Sequence, residues 1–188
     1  MRNGNLFVIS GPSGAGKGTL VARLRSEVED VWVSISTTTR KPRGTEVHGV
    51  EYNFVSDEEF DSLISQDGFL EWAHVHNARY GTPRAQIEEQ IALGKQVILE
   101  IDVQGAFEVQ GKMPDAHLVF IEPPSLEILR ERLVQRATDT DEAIEKRLET
   151  AKLELSQKMK YDIRLVNDDL DEAAQALIAY IDENAEQE

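Results

Sequence analysis

Cysteine is absent from this chain of 188 residues. The protein therefore has no disulfide framework, no thiolate metal site and no cysteine nucleophile. No apolar run approaches the roughly 20 residues that a helix needs to cross a bilayer. The short apolar run near the N-terminus is better explained as a first strand than as a signal peptide. These features favour a cytoplasmic protein with no membrane association.

Positive charge is also scarce. The chain has 20 Lys and Arg against 35 Asp and Glu, which leaves a formal net charge of -15. That balance argues against a broad surface for nucleic acid or anionic lipid. If the protein binds a polyanionic small molecule, its few cations must be concentrated at particular places. The length suits one globular core with small insertions, and a monomer and a homodimer are both compatible with it.

The apolar pattern is typical of an α/β protein. Short β-rich runs alternate with segments of helical period, which predicts a parallel sheet covered by helices. Three further short runs, at Tyr52–Val55, Phe69–Val75 and Ala78–Gly81, predict a small mixed sheet inserted between core strands. We predict that the five core strands are Leu6–Ser10, Trp32–Ser36, Val97–Asp102, His117–Ile121 and Ile163–Val166.

Several helix ends carry start and stop signals. Ser56 with Glu59 has the spacing of a capping box, and Asp139 with Glu142 has the same spacing before a long helical segment. Pro83 is expected to open a helix that stops at Gly94. These signals place one helix within the predicted insertion and two helices after it.

A glycine-rich segment follows the first predicted strand and opens a helix. It matches the phosphate-binding pattern G-x-x-x-x-G-K, in which backbone N–H groups and a helix N-terminus meet phosphate oxygens. Gly18 stands where Ser or Thr usually ligates Mg²⁺, so Thr19 takes that role or the metal is held mainly by phosphates and water. The alternative is a plain strand-to-helix turn. The predicted ATP-binding residues are Gly11, Pro12, Ser13, Gly14, Ala15, Gly16, Lys17, Gly18 and Thr19.

A second concentration of cations and hydroxyls lies between Ser36 and Arg43. Arginine forks bind phosphate bidentately, and Tyr52 and Tyr80 could add phenolic donors. A solvated basic turn is the alternative. Two phosphate sites on one small core predict a donor and an acceptor, as in a kinase.

The segments STTTRKPRGTEVHGVEYNFVS, FLEWAHVHNARYGT, VILEIDVQG and LVNDDLDEA resemble the guanylate kinase family along nearly the whole chain. The resemblance implies an α/β P-loop NTPase fold of three layers, with a five-stranded parallel sheet, a small mixed α+β GMP-binding insertion and a helical lid. It also implies phosphoryl transfer from ATP to GMP, and to dGMP, with Mg²⁺ as cofactor. The implied segments are core 1–33, insertion 34–83, core 84–131, lid 132–150 and core 151–188.

The resemblance also implies roles for individual residues. The GMP phosphate is held by arginines and tyrosines. Glu71 accepts hydrogen bonds from the guanine N1–H and 2-amino groups, and Ser36 and Thr82 address the O6 region. Asp102 meets the base edge or helps to place Mg²⁺ through water, although it could equally cap a helix. The implied GMP-binding residues are Ser36, Arg40, Arg43, Tyr52, Glu71, Tyr80, Gly81, Thr82 and Asp102.

The same resemblance implies a mobile lid. Arginines flanking the turn at Ala137 would close onto the transferring phosphates, and Asn167 would lie near the adenine of ATP. For Arg132 alone, a surface ion pair with Glu127 or Glu131 is the alternative. The implied catalytic residues are Lys17, Arg40, Arg132, Arg136 and Arg147.

Two other functions stay open at this point. One is a related kinase with a different acceptor, and the other is a binding module that resembles guanylate kinase without catalysing a reaction. Lys17 and the acceptor arginines favour an enzyme. A carboxylate at Glu71 favours guanine, because adenine presents an acceptor where guanine presents N1–H, and the mispaired carboxylate would be costly.

Overall fold

A computed structural model describes residues 2–135 and 140–186 of the chain. Strands and helices alternate along most of it. The strands are β1 (Asn5–Ser10), β2 (Val31–Val33), β3 (Thr37–Thr38), β4 (Asn53–Phe54), β5 (Phe69–Val75), β6 (Ala78–Pro83), β7 (Gln96–Glu100), β8 (His117–Glu122) and β9 (Ile163–Val166). The helices are α1 (Lys17–Glu27), α2 (Asp57–Ser65), α3 (Arg84–Ala92), α4 (Val103–Lys112), α5 (Leu126–Gln135), α6 (Asp141–Ser156) and α7 (Leu170–Ala185), with a 3-10 turn at Lys158–Lys160.

The main sheet has five parallel strands in the order β2-β7-β1-β8-β9. This confirms the predicted five-stranded parallel sheet. Strand β1 lies at its centre, and its side chains from Leu6 to Ser10 are all buried. Because all five strands run the same way, their carboxyl ends share one edge, where folds of this kind place ligands.

Both faces of the sheet are covered, so the strands read as continuous apolar runs. One face packs on α1 and α7 through side chains such as Phe7, Leu20 and Leu177. The other packs on α3 and α4 through side chains such as Val8, Ile87 and Val109. Within the described ranges, no helix has the length and apolar character needed to cross a bilayer.

The insertion forms a second, mixed sheet in the order β4-β3-β6-β5. Helix α2 packs on it, with the Phe60 and Phe69 ring centroids 4.5 Å apart. Ser56 and Glu59 form the predicted capping box at the start of α2. The chain therefore forms two separate sheets, a five-stranded parallel core sheet and a small four-stranded mixed sheet.

The chain leaves the core earlier than the sequence predicts. Strand β2 ends at Val33 rather than at Ser36, and after it the Ser34 N–H donates to the Ile98 carbonyl, 2.9 Å away. Thr37 then pairs with Asn53 and Gly81 in the second sheet. The apolar pattern from 32 to 36 therefore spans the end of one sheet and the approach to another.

The starts of α4 and α6 differ in detail from the sequence prediction. Strand β7 ends at Glu100, and Asp102 caps α4, the alternative named for it above, because its carboxylate accepts the Gly105 N–H at 2.9 Å. The N-cap of α6 is Thr140, whose hydroxyl accepts the Ala143 N–H at 3.3 Å. The expected cap Asp139 lies outside the described residues.

Candidate functional site

The phosphate loop lies at the carboxyl end of β1 and opens α1, as predicted. Gly16 is the N-cap of α1 and has a left-handed backbone, with φ 91°. A Cβ at Gly16 would lie 2.2 Å from the Asn167 amide nitrogen. A Cβ at Gly11 would lie 2.1 Å from the Ile121 carbonyl oxygen. Only glycine fits these two positions, so the loop can turn tightly and aim its N–H groups outward.

Lys17 folds back over this loop. Its ammonium donates to the Gly11 carbonyl at 2.6 Å and to the Pro12 carbonyl at 3.2 Å. These contacts place the only cation of the loop at its mouth, next to the helix N-terminus. Half-buried Glu154 of α6 faces the same ammonium, which counteracts the rise that burial causes in the pKa of Glu154.

Glu100 is a carboxylate that the sequence reading did not single out. It is exposed at the last position of β7, and a Cβ at Gly18 would lie 3.6 Å from its Oε2. Glu100 also lines a cavity of about 220 Å³ with Ser36, Tyr52 and Thr82. Glu100 therefore lies between the phosphate loop and the predicted acceptor residues. This position follows from the pairing of β7 with β1, which the sequence alone does not reveal.

A second cavity, of about 380 Å³, lies on the other side of the loop. Thr19 and Arg132 line it together with Asn167. The guanidinium of Arg132 donates to the Asn167 carbonyl at 2.9 Å, and the buried Asn167 amide donates to the Ala15 carbonyl at 2.8 Å. Arg132 and Asn167 thus support the loop, as a donor-site role requires.

Helix α6 brings a further arginine to the loop. The guanidinium of Arg147 donates to the Ser13 hydroxyl at 3.0 Å. Arg147 and Arg132 therefore reach the phosphate loop from two different helices. Arg136, the third predicted lid arginine, lies outside the described residues.

The second sheet places the acceptor residues by its register. Glu71 of β5 is paired with Thr82 of β6, and Tyr80 lies two residues before Thr82 on the same face. Paired side chains of an antiparallel ladder share a face, so these three groups point the same way. Gly81, between them, allows Phe69 to pack, because a Cβ there would lie 2.8 Å from that ring.

Arg40 is held in a fixed orientation. Its Nε donates to the Tyr80 hydroxyl at 3.2 Å, and two terminal nitrogens each donate to Glu46 at 2.9 Å. The guanidinium carbon lies 5.3 Å from the Tyr52 ring centroid. Hydrogen bonding to Glu46 raises the pKa of Arg40, and the same bonds lower the pKa of Glu46. The Arg43 N–H also donates to Glu46, at 2.7 Å, while the Arg43 side chain is exposed.

Glu71 is the half-buried carboxylate of the acceptor site. The Thr82 hydroxyl donates to its Oε1. Burial raises the pKa of Glu71, the Thr82 bond opposes that rise, and the nearby charge of Asp102 adds to it. A carboxylate in this setting gains most when a ligand supplies additional hydrogen-bond donors.

Asp102 stands slightly apart from the other acceptor residues. Its carboxylate caps α4, and it lines a cavity of about 490 Å³ between α4 and α6 together with Glu154. Its link to the acceptor cavity runs through Gly105, where an added Cβ would lie 3.3 Å from Glu71 Oε2. The structure thus groups Ser36, Arg40, Tyr52, Glu71, Tyr80 and Thr82 closely, and leaves Arg43 and Asp102 at the margin.

A phosphate loop on a parallel sheet, facing a second site with its own arginine and carboxylate, defines a P-loop nucleoside monophosphate kinase. A family model described as guanylate kinase matches residues 3–184. The chain belongs to the guanylate kinase family.

Individual relatives agree with that assignment. The guanylate kinase of Streptomyces kasugaensis is 51% identical over 174 residues, which are 93% of this chain and 85% of the relative. The guanylate kinase of Thermobifida fusca is 49% identical over 176 residues, covering 94% and 90%. The crystal structure of guanylate kinase from Anaplasma phagocytophilum superposes with a TM-score of 0.75 at 33% identity, covering 98% of this chain and 87% of that one.

Proposed function

We propose that this guanylate kinase binds ATP at the phosphate loop, binds GMP against the second sheet, and transfers the γ-phosphoryl group directly between them. The observation that carries this proposal is the position of Glu100, which contacts the surroundings of Gly18 and also lines the cavity of Ser36 and Thr82. This position supports two substrate sites that adjoin at the carboxyl edge of the sheet.

In this proposal, the donor site is the loop from Gly11 to Thr19. Backbone N–H groups and Lys17 bind the ATP phosphates, and Arg132 and Arg147 stabilise the charge that develops during transfer. Asn167 holds the loop through the Ala15 carbonyl. Arg136 is assigned to the same function from sequence alone.

The acceptor site divides into a phosphate half and a base half. Arg40, Arg43, Tyr52 and Tyr80 bind the GMP phosphate. Glu71 accepts hydrogen bonds from the guanine N1–H and 2-amino groups, Ser36 and Thr82 address O6, and Asp102 lies at the edge of the base. Gly81 contributes by allowing β6 to approach closely.

The donor set fits Mg²⁺ that is bound largely by phosphates and water. Among the described residues, no cluster of three acidic or histidine side chains could hold a metal by itself. Mg²⁺ in kinase sites needs only one or two protein carboxylates beside substrate phosphates and water. Glu100 is the best placed of these, with Thr19 and Asp102 as further candidates. When bound, Mg²⁺ would neutralise phosphate charge.

The reaction needs little covalent chemistry from the protein. The GMP phosphate is already a competent nucleophile at neutral pH, so no strong general base is required and no covalent enzyme intermediate forms. Catalysis consists of positioning and charge stabilisation. Closure of the insertion (34–83) and the lid (132–150) over the core would exclude water. The cytoplasmic location and the monomeric or homodimeric state expected from the sequence stay predictions.

The acceptor preference is tested with ATP, Mg²⁺ and one nucleotide at a time. We expect ADP formation with GMP and dGMP, since a ribose 2′-hydroxyl has no assigned partner, and only background rates with AMP, CMP and UMP. Faster turnover with any of those three than with GMP would contradict the guanine site and leave the kinase assignment standing.

GMP affinity is expected to depend on the ionisation of Glu71. Only the ionised carboxylate accepts from both guanine donors, and its pKa is raised by burial. Affinity should therefore fall as the pH drops through that raised value, at a higher pH than an exposed glutamate would require. Calorimetry of GMP binding across acidic pH measures this effect.

The control for this pH dependence is Glu71→Gln. This variant should bind GMP more weakly at neutral pH and should lack the same step, while titration of the GMP phosphate affects both proteins equally. Identical pH profiles for the two proteins would remove Glu71 from base recognition.

A further inference from the structure

Gly105 lies in the first turn of α4, near both carboxylates of the acceptor site. Its backbone N–H donates to Asp102 Oδ1 at 2.9 Å. A Cβ at this buried position would lie 3.3 Å from Cγ and 3.3 Å from Oε2 of Glu71. No other glycine of the described chain has Glu71 among the nearest neighbours of its added Cβ.

Glu71 is confined from two sides. The Thr82 hydroxyl donates to Oε1, and Gly105 leaves no room for a side chain at ordinary packing distance from Cγ and Oε2. Carbon atoms normally pack at about 3.5–4.0 Å. A methyl group at residue 105 would therefore shift the Glu71 side chain by a few tenths of an ångström, away from the position in which it accepts from Thr82.

We propose that Gly105 is a positioning residue for recognition of the acceptor base. Its missing side chain sets the position of Glu71, and its N–H sets the position of Asp102. It acts on the nucleotide only through these two carboxylates. This inference rests on the proposed guanine site and assigns the element that builds it.

Helix stability gives no reason for glycine at this position. Glycine is less favourable than alanine inside a helix, so α4 alone would prefer Ala at residue 105. Gly111 of the same helix provides the comparison, because a Cβ there would have no atom within 4 Å. A methyl group would therefore meet Glu71 at residue 105 and no neighbouring atom at residue 111.

The test compares Gly105→Ala with Gly111→Ala. For Gly105→Ala we expect KM for GMP to rise about tenfold or more, since small displacements of positioned groups have large kinetic effects. KM for ATP should stay unchanged and the melting temperature should stay equal or rise. Discrimination between GMP and IMP, which lacks the 2-amino group, should fall. Gly111→Ala should alter none of these nucleotide parameters.

Repeating the substitution in the Glu71→Ala variant distinguishes an effect that acts through Glu71 from a general effect on packing. In Glu71→Ala, the additional change Gly105→Ala should not weaken GMP binding further. A GMP KM for Gly105→Ala within twofold of the parent would overturn the inference, as would an equal loss in the Glu71→Ala background or a parallel rise in the ATP KM.

If Gly105→Ala failed to fold, the second variant would be Glu71→Ala/Gly105→Ala, which lacks both atoms that the methyl group would approach. That double variant should melt like the parent, and its failure to fold would also overturn the inference. A parent enzyme without activity on GMP would instead refute the proposed function, and the two failures are therefore distinguishable.

Discussion

Replacing Lys17 by alanine is expected to lower kcat by roughly 100- to 1,000-fold, the usual effect of removing one preorganised charge-stabilising donor. The ammonium lies over the loop, within 2.6 Å of the Gly11 carbonyl and beside the N-terminus of α1. No neighbouring lysine can replace it, because the next cation along α1 is Arg23, more than a turn further on. Steady-state rates with saturating ATP and GMP measure the effect.

The control for Lys17→Ala is Lys152→Ala, which removes an exposed lysine of α6. It should leave kcat unchanged, and both variants should melt near the parent temperature. A folded Lys17→Ala protein that turns over within a few fold of the parent would show that the loop does not bind the reacting phosphates.

Replacing Arg40 by alanine is expected to reduce kcat/KM for GMP by about 100-fold. A charge-assisted hydrogen bond to phosphate contributes about 1.5–3 kcal/mol, and 1.4 kcal/mol corresponds to tenfold. The substitution also leaves Glu46 without its two 2.9 Å partners. The Glu46 carboxylate would keep only the Arg43 N–H as a donor and would lose its neutralising guanidinium. Its charge would then repel the incoming phosphate and enlarge the loss, while KM for ATP should not change.

Two further variants serve as controls for the Arg40→Ala prediction. Arg40→Ala/Glu46→Ala should recover part of the loss, because the repelling carboxylate is gone. Lys41→Ala removes the adjacent exposed cation and should have little effect. An equal loss for Lys41→Ala and Arg40→Ala would mean that the segment acts as a diffuse basic patch and not as an oriented phosphate site.

The loop and the core sheet could be predicted because their signals are local. The run from Leu6 to Ser10 is apolar throughout, and the glycines and Lys17 follow it directly, so strand, loop and helix start are readable in one short segment. The start of α2 was predictable for the same reason, since Ser56 and Glu59 satisfy each other within four residues.

The features that could not be predicted from the sequence depend on contacts between segments that are distant along the chain. Glu100 reaches Gly18 because β7 lies beside β1, and Gly105 lies near Glu71 because α4 packs on β5. The end of β2 at Val33 was missed because a second sheet captures Thr37. The link between Arg40 and Glu46 is close in sequence, yet its geometry depends on a turn that residue identity alone does not specify.

The proposed transfer of the γ-phosphoryl group to GMP, and not to water, is tested by following the γ-phosphate of ATP. ATP labelled at the γ-phosphorus is incubated with the enzyme, Mg²⁺ and GMP, and the products are separated. Direct transfer predicts that the label appears in the β-phosphate of GDP, in equal amount to the ADP formed. Label released as inorganic phosphate, with ADP formed but no GDP, would contradict the account.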